Sequence, residues 1–453
     1  MSAIARLSEF VVKATLDDCP RQALEQIHRA ALDTVGVMLA GAGEPVARAV
    51  REVIRAEGGA PLCTVLGTGL RTAPTWAALA NGTAGHAHDF DDTSFALMGH
   101  PSVPLLAALL ACAEAEMTDG AAVALGYLVG FEVDAALGSG LNPTHYERGW
   151  HATSTIGTLG CAAASARLLA LDAGQTRHAL ALAASLASGL KENFGSMAKP
   201  YHAGHAARNG VLAARLAREG FTATESALDG KQGFVAAFGG SALSPALERL
   251  GQRWHLVESG IAIKPYPSCA LTHAPVDALL ELRRQHGFEP AAVATVEVGV
   301  GRFTPNVLSY PTPTTALERK FSMQFCAATA LVEGRLDFGS FEDGEVRNAD
   351  VRTLMPGVRM VVDESLPAGL NEHAWSRVTV RLRDGQVLGA PARGASGHPD
   401  RPLSAQRLHE KFLACASPVI GREEAEAVAE QIGHLEDIPD LRVLTARLVT
   451  GDD

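Results

Sequence analysis

The segment from Pro104 to Cys112 is apolar at every position, and it constrains the fold more than any other part of the sequence. Leu and Ala, which are strong helix formers, supply most of its residues. A helix that is apolar on all sides must be surrounded by other helices, because a surface helix keeps one polar face. The segment therefore predicts a helix inside a large helical bundle.

The rest of the first 260 or so residues has the same character. Leu24, Ile27, Ala31, Val35 and Met38 recur at steps of three and four residues, which predicts a helix with one apolar stripe. Other Ala- and Leu-rich segments, separated by Gly or Asp-Gly, predict helices over residues 73–87, 101–117, 120–138, 153–171, 174–190 and 203–218. No alternating strand pattern of useful length competes with them, so we expect an all-helical domain over residues 1–263.

The pattern changes at Ile263-Lys-Pro-Tyr-Pro-Ser-Cys269, where two prolines interrupt any helix. Beyond it, period-two alternation predicts strands over 294–300, 358–362 and 377–383, with helices over 276–286 and 322–333 between them. Helical pattern returns over 403–416 and 423–434. The predicted fold is mainly α: a large all-helical domain built from both chain ends, a smaller inserted α+β domain over 264–395, and residues 396–453 returning to the helical domain.

Composition narrows the classes of partner and the compartment. A formal net charge of −11 argues against nucleic acid or an anionic membrane as partner, although a small anionic substrate can still bind in a locally basic pocket. Seven scattered cysteines without a CxxC pair are typical of a reducing cytosol rather than of a disulfide framework or zinc knuckle. No uninterrupted apolar span or cleavable leader is recognisable, so we expect a cytoplasmic protein.

Two histidines and three aspartates fall within the seven residues from 86 to 92, and His100-Pro-Ser follows shortly after. Carboxylates packed so densely repel one another unless a cation or hydrogen-bond donors neutralise them. A solvated loop at a helix end is one interpretation, and a functional site is the other. A metal site is disfavoured because His86 and His88, two residues apart on a helix, point about 200° away from each other. We therefore predict no metal.

Three other segments carry candidate residues. His151 in Gly149-Trp-His-Ala-Thr-Ser-Thr155 precedes a helix whose N-cap would be Thr153 or Ser154, and a helix N-terminus favours a neutral imidazole. Lys199 and Lys264 each begin a Lys-Pro-Tyr triplet, which predicts lysines held on rigid loops, Lys199 just before a helix.

Together these segments resemble the MmgE/PrpD family. The resemblance rests on five motifs that occur in order along nearly the whole chain: Asn81-Gly-Thr-Ala-Gly-His-Ala-His-Asp-Phe-Asp-Asp-Thr93, His100-Pro-Ser, Gly149-Trp-His-Ala-Thr, Lys199-Pro-Tyr-His-Ala-Gly-His-Ala-Ala and Lys264-Pro-Tyr-Pro-Ser-Cys-x-x-Thr-His273. It implies a helical domain with a smaller lid domain, an active site in the cleft between them, a homodimer, and no metal or organic cofactor. The family's reactions include dehydration of 2-methylcitrate, decarboxylation of cis-aconitate and epimerisation of iminodisuccinate.

The resemblance also implies a set of site residues. Carried over position by position, these are Asp89, Thr93, His100, His151, Lys199 and Lys264, to which we add Cys269 as a catalytic candidate and Tyr266 and Ser268 as substrate-binding candidates. Cis-aconitate decarboxylases carry a histidine five residues after the junction lysine, where this chain has Cys269, and this departure weakens a decarboxylase assignment. The segment from Thr314 to Ser322 looks more like the epimerase-type members.

The expected function is a cofactor-independent lyase or isomerase that moves a proton next to a carboxylate of a small di- or tricarboxylic acid, most closely a 2-methylcitrate dehydratase. We expect His151, with Asp89 or His100, to transfer the proton, and the two lysines to clamp carboxylates and hold developing charge. Thr93 would donate a hydrogen bond to the substrate. Cys269 would serve the opposite face of the substrate, as an epimerase requires. The alternatives are the epimerase, the decarboxylase and, more remotely, a metal-dependent hydrolase resting on the histidine and aspartate cluster.

Overall fold

The computed structural model describes residues 1–240, 243–367, 369, 372 and 374–451. It confirms a mainly helical fold with a small sheet. The chain divides into two compact units. The larger unit contains Met1–Glu192, Ala198–Ile261 and Ser404–Asp453, and the smaller unit contains Asn193–Met197 and Ala262–Leu403. Whether the smaller unit acts as a lid stays a prediction.

The larger unit begins with thirteen described helices. They are α1 (Ala3–Lys13), α2 (Arg21–Gly41), α3 (Pro45–Glu57), α4 (Pro74–His86), α5 (Ser102–Glu116), α6 (Gly120–Leu141), α7 (Thr144–Glu147), α8 (Ala152–Leu168), α9 (Ala173–Leu186), α10 (Ala198–Arg218), α11 (Phe234–Phe238), α12 (Ser244–Leu247) and α13 (His255–Glu258). The prediction of an all-helical domain is wrong in one detail, because β1 (Cys63–Thr64) pairs antiparallel with β2 (Arg71–Thr72). Strands of two residues are too short to produce a period in the sequence.

The apolar segment Pro104–Cys112 lies in α5, and every one of its residues is buried, as predicted. The neighbouring helix α6 is long and apolar enough to cross a membrane by length and composition alone, but 83% of its apolar window is buried inside the protein. Burial of that kind is expected for a core helix of a bundle.

Helices α4 and α10 approach so closely that their glycines meet. A Cβ atom added at Gly204 would lie 2.2 Å from the carbonyl oxygen of Leu79, and one added at Gly82 would lie 2.7 Å from the Cα atom of Gly204. Only glycine permits this backbone approach. Because α4 ends at His86 and α10 begins one residue before Lys199, the contact also brings these two side chains into the same region.

Among its described residues, the smaller unit has a mixed sheet and five α-helices. The helices are α14 (His273–His286), α15 (Thr304–Val307), α16 (Ala316–Arg319), α17 (Met323–Glu333) and α18 (Ala349–Leu354), and the strands are β3 (Val293–Val300), β4 (Val358–Val362), β5 (Ser376–Leu382) and β6 (Val387–Arg393). The sheet order is β4-β3-β5-β6, with β3 parallel to β4 and the other pairs antiparallel. The three predicted strands are present. The fourth, β6, follows the Asp384-Gly385 turn and was missed because its burial does not alternate cleanly.

The chain then returns to the larger unit through α19 (Ala405–Ile420), α20 (Arg422–Ile432) and α21 (Arg442–Thr445). Helix α19 packs against α2, where the buried ammonium of Lys411 lies 2.6 Å from Oδ1 of Asp33. The N-terminal and C-terminal parts of the chain therefore share one core.

Candidate functional site

The central feature of the larger unit is a buried cluster at the end of α4. His86, the last residue of that helix, has Nδ1 at 2.8 Å and 2.9 Å from the two carboxylate oxygens of Asp91. Its Nε2 lies 2.8 Å from Nζ of Lys199. An ammonium can only donate, so Nε2 accepts from Lys199, and the remaining proton of the ring sits on Nδ1 and is donated to Asp91. The partners on both sides thus set one neutral tautomer of His86.

Lys199 lies in the first turn of α10, and not on a loop before a helix as predicted. The sequence pattern misled because Pro200 follows it, yet proline is tolerated in the first turn, where its missing N–H has no intrahelical partner. The side chain is only 5% exposed, and Nζ also donates to Oδ1 of Asp89 at 3.0 Å. The buried ammonium of Lys199 therefore links the Lys199-Pro-Tyr motif to the motif that contains His86 and Asp89.

His100 lies on the other side of the two carboxylates. Its Nδ1 is 3.2 Å from Oδ2 of Asp91, and its Nε2 is 3.6 Å from Oδ1 of Asp89. The backbone N–H of His100 donates to Oγ1 of Thr153 at 2.9 Å, which ties this loop to the first turn of α8. The imidazole is thereby held between two acidic groups that stabilise a proton on it.

His151 is itself the N-cap residue of α8, so the prediction that Thr153 or Ser154 takes that position is wrong. Its Nδ1 lies 3.1 Å from Nδ1 of His202, and one of the two nitrogens must donate to the other. The ring centroid of His151 is 6.0 Å from that of His86. His151 therefore adjoins the cluster, paired with a second histidine from α10.

Burial controls the protonation states of the histidines. It lowers the pKa of His86 to about 4, although Asp91 opposes the shift, and it lowers the pKa of His202 to about 4. Burial and the nearby Lys199 ammonium hold the pKa of His151 well below its usual value. Burial alone would raise the pKa of Asp91, but the imidazoles of His100 and His86 lower it well below the usual value. The imidazoles of His86, His151 and His202 are therefore neutral and the carboxylate of Asp91 is ionised, close to the Lys199 ammonium.

The sequence predicts Asp89, His100, His151 and Lys199 as site residues, and the structure places all four in or beside the cluster. It adds three residues that the sequence does not predict in these roles, namely His86, Asp91 and His202. A usable signal existed for His202, because residues three apart on a helix share a face and His202 follows Lys199 by three. No such signal links Asp91 to His86, since their contact depends on the turn after α4.

The cluster also has the composition of a cation site. Ligand atoms of His86, Asp89, Asp91 and His100 all lie within 4.8 Å of one another. His86 and His88 do not share this site, as predicted, because Nε2 of His88 lies 3.3 Å from the carbonyl oxygen of Ala40. Asp89, Asp91 and His100 complete the set around His86 instead. The ammonium of Lys199 bonds two of the four residues, so a metal ion would have to displace a cation of the chain itself.

The remaining predicted residues are placed as follows. Thr93 is buried, and among the described residues its hydroxyl has no hydrogen-bond partner; its expected hydrogen bond to a substrate stays a prediction. Lys264 and Cys269 are buried in the smaller unit. There the hydroxyl of Tyr266 donates to Asp277 at 2.6 Å, and the hydroxyl of Ser268 lies 2.9 Å from that of Thr272. The roles expected of these four residues in the smaller unit stay predictions.

Comparison with known proteins agrees with the motifs. Residues 5–245 match the MmgE/PrpD N-terminal domain, and residues 266–437 match the MmgE/PrpD C-terminal domain. Cis-aconitate decarboxylase of Homo sapiens is 31% identical over 94% of this chain and 90% of the human protein. The cis-aconitate decarboxylase of Mus musculus is 31% identical over 93% of this chain and 88% of the mouse protein. A cis-aconitate decarboxylase of Aspergillus terreus is 25% identical over 97% of this chain and 94% of the fungal protein. The chain belongs to the MmgE/PrpD family.

Proposed function

We propose that this protein is a lyase that breaks a bond next to a carboxylate of a small di- or tricarboxylic acid, and that decarboxylation of cis-aconitate is the first reaction to test. The observation that carries the proposal is the buried ammonium of Lys199, held at 2.8 Å from His86 and 3.0 Å from Asp89. The similarity to cis-aconitate decarboxylases along more than nine-tenths of the chain supports cis-aconitate as the first substrate to test.

Decarboxylation requires stabilisation of the electron pair that the departing carbon dioxide leaves behind. When the carbon–carboxylate bond breaks, carbon dioxide leaves and the bonding pair remains on carbon, where a neighbouring conjugated carboxylate spreads it as an enolate-like charge. A fixed cation in a buried site stabilises such developing charge strongly, because no solvent has to reorganise. Lys199 is the buried ammonium at the centre of the cluster, and it is fixed by hydrogen bonds to His86 and Asp89. It is therefore the expected stabilising group.

The reaction then needs one proton on carbon. His100 is the best-placed donor, because carboxylate oxygens of Asp91 and Asp89 lie 3.2 Å and 3.6 Å from its two ring nitrogens and would stabilise a protonated ring. His151 is the second candidate, since it adjoins the cluster and shares a proton with His202. The balance is one tricarboxylate and one proton in, one carbon dioxide and one five-carbon dicarboxylate out.

Dehydration of 2-methylcitrate is the second candidate, because Cys269 counts against decarboxylation. Where the family's decarboxylases carry histidine five residues after the junction lysine, this chain has a cysteine, which is buried. Dehydration starts instead with removal of a proton from carbon next to a carboxylate, for which a neutral buried imidazole such as His151 is the suitable base. Hydroxide then leaves as water after protonation. Epimerisation of iminodisuccinate requires the same proton removal without loss of a group.

One experiment separates these reactions. The purified protein is incubated in deuterated water with cis-aconitate, 2-methylcitrate or iminodisuccinate, and the products are followed by NMR. Decarboxylation gives a five-carbon product with one deuterium and stoichiometric carbon dioxide, dehydration gives an alkene and no carbon dioxide, and epimerisation gives deuterium exchange with no group lost. The proposal expects the first pattern with cis-aconitate. Absence of turnover for all three compounds would overturn it, and the second or third pattern would replace decarboxylation by the corresponding reaction.

A further inference from the structure

The loop that carries the two site aspartates has an unusual backbone. Asp89 has φ of +51°, in the left-handed region that non-glycine residues rarely adopt. Such a conformation costs about 1–2 kcal/mol, and it persists only when the surrounding structure supports it. The backbone N–H of Asp89 donates to the carbonyl oxygen of His86 at 3.2 Å, which supports the residue from one side. Further support is needed on the side of Phe90 and Asp91.

That support comes from a lysine far along the chain. Nζ of Lys411, in α19, donates to the backbone carbonyl oxygen of Phe90 at 2.7 Å and lies 3.8 Å from the centroid of the Phe90 ring. The same Nζ is 2.6 Å from Oδ1 of Asp33, and the Lys411 side chain is only 6% exposed. The carbonyl of Phe90 belongs to the peptide group that leads to Asp91. Lys411 therefore holds the backbone between the two site aspartates.

A second anchor follows directly in the chain. The carboxyl group of Asp92 accepts hydrogen bonds from the backbone N–H and the hydroxyl of Ser102, and that hydroxyl lies 2.7 Å from the hydroxyl of Tyr127. With Lys411 before Asp91 and Ser102 after it, the loop is fixed on both sides of the residue that orients His86.

We infer that Lys411 is a positioning residue of the active site. Its contacts are with Asp33 and Phe90, and it acts by fixing the Phe90–Asp91 peptide so that Asp89 meets Lys199 and Asp91 meets His86. The inference rests on the proposed function for its kinetic consequence, but the geometric consequence can be measured without any substrate.

The single variant Lys411→Met is not a suitable test, because it leaves the carboxylate of Asp33 buried without its cation. Breaking one half of a buried ion pair is strongly destabilising, whereas removing both halves is often close to neutral. The decisive protein is therefore the double variant Asp33→Asn/Lys411→Met. The control is Arg407→Met on the same helix, whose side chain is 71% exposed.

Two readouts are recorded on each protein. With cis-aconitate, the double variant is expected to lose kcat by about 10- to 100-fold with little change in KM, because a misplacement of about 1 Å can cost about 100-fold. In histidine-labelled protein, NMR records the Nδ1–H proton that His86 donates to Asp91, identified by its loss in His86→Gln. This signal should shift or broaden in the double variant and stay unchanged in Arg407→Met.

An unchanged His86 signal in the folded double variant, or kcat within about twofold of the wild type, would overturn the inference. If no carboxylate is turned over by the wild type, the proposed function fails and the NMR signal alone still decides the role of Lys411. Should the double variant not fold, Lys411→Arg takes its place. It keeps a cation beside Asp33, but its planar head group cannot occupy the position of one ammonium nitrogen, so the same shift is expected.

Discussion

Nε2 of His86 accepts a hydrogen bond from the ammonium of Lys199 at 2.8 Å, while Nδ1 of the same ring donates to Asp91 at 2.8 Å. A carboxylate, an imidazole and an ammonium thus form one buried line. The carboxylate of Asp91 orients the imidazole of His86, and that imidazole in turn orients the ammonium of Lys199. This relationship gives the site its fixed charge and yields direct predictions for His86 and Lys199.

Replacing His86 should reduce catalysis without unfolding the protein. In His86→Gln the ammonium of Lys199 loses its acceptor, and we expect kcat for the wild-type reaction to fall by about 100-fold. The matched control is His88→Gln, two residues along, whose ring contacts the carbonyl oxygen of Ala40 outside the cluster. Steady-state kinetics on both variants, with melting curves, provide the check. Equal kcat values for the two variants would remove His86 from the site.

Asp92 gives a prediction for the pH dependence of stability. Burial and the nearby carboxylate of Asp33 raise the pKa of Asp92 to about 8. A carboxyl whose pKa is raised in the folded state stabilises it at low pH, and that contribution is lost as the pH rises from about 4 towards about 8. Asparagine does not titrate. Between about pH 6 and pH 8 the free energy of unfolding of the wild type should therefore fall, relative to that of Asp92→Asn, by up to about 2 kcal/mol.

Urea unfolding of the two proteins at both pH values measures this difference. A gap that does not change with pH would show that the Asp92 carboxyl is already ionised in the folded protein across this range, and it would contradict the raised pKa.

The contact between α4 and α10 should be intolerant of any side chain. Gly204→Ala would place a methyl group 2.2 Å from the carbonyl oxygen of Leu79, so we expect a loss of about 1–3 kcal/mol in the free energy of unfolding. Gly157→Ala is the matched control, because it is also helical but has no atom nearer than 3.9 Å to the added carbon. The control should be neutral or more stable by up to about 1 kcal/mol. Similar losses in both variants would contradict this account of the helix contact.

The cluster of His86, Asp89, Asp91 and His100 leads to a prediction about metal removal. Four ligand-bearing residues lie close enough to hold a metal ion, but Lys199 already bonds two of them. Activity should therefore survive dialysis against a strong chelator, and added Zn²⁺ should inhibit by competing with the ammonium. Activity that is lost on chelation and restored by one metal ion would favour a metal-dependent mechanism instead.

The sequence was sufficient for the coarse architecture and for part of the site. Pro104–Cys112 predicted a buried core helix because apolar residues on all faces have one physical explanation. The prediction that Lys199 lies on a loop is wrong, because a Lys-Pro pair is typical of a loop but proline is also allowed in the first turn of a helix. The pairing of His86 with Asp91 could not be predicted, since it depends on the left-handed backbone of Asp89 and on Lys411, which lies more than 300 residues away.

The most direct test of the central claim is the rate of carbon dioxide release from cis-aconitate by Lys199→Met. The matched control is Lys231→Met, which removes an exposed lysine. If the buried ammonium stabilises the developing charge, the rate for Lys199→Met should fall by about 100- to 1000-fold, while the control keeps the wild-type rate. Both variants should remain folded in melting curves. A folded Lys199→Met protein that releases carbon dioxide within about twofold of the wild-type rate would contradict the account.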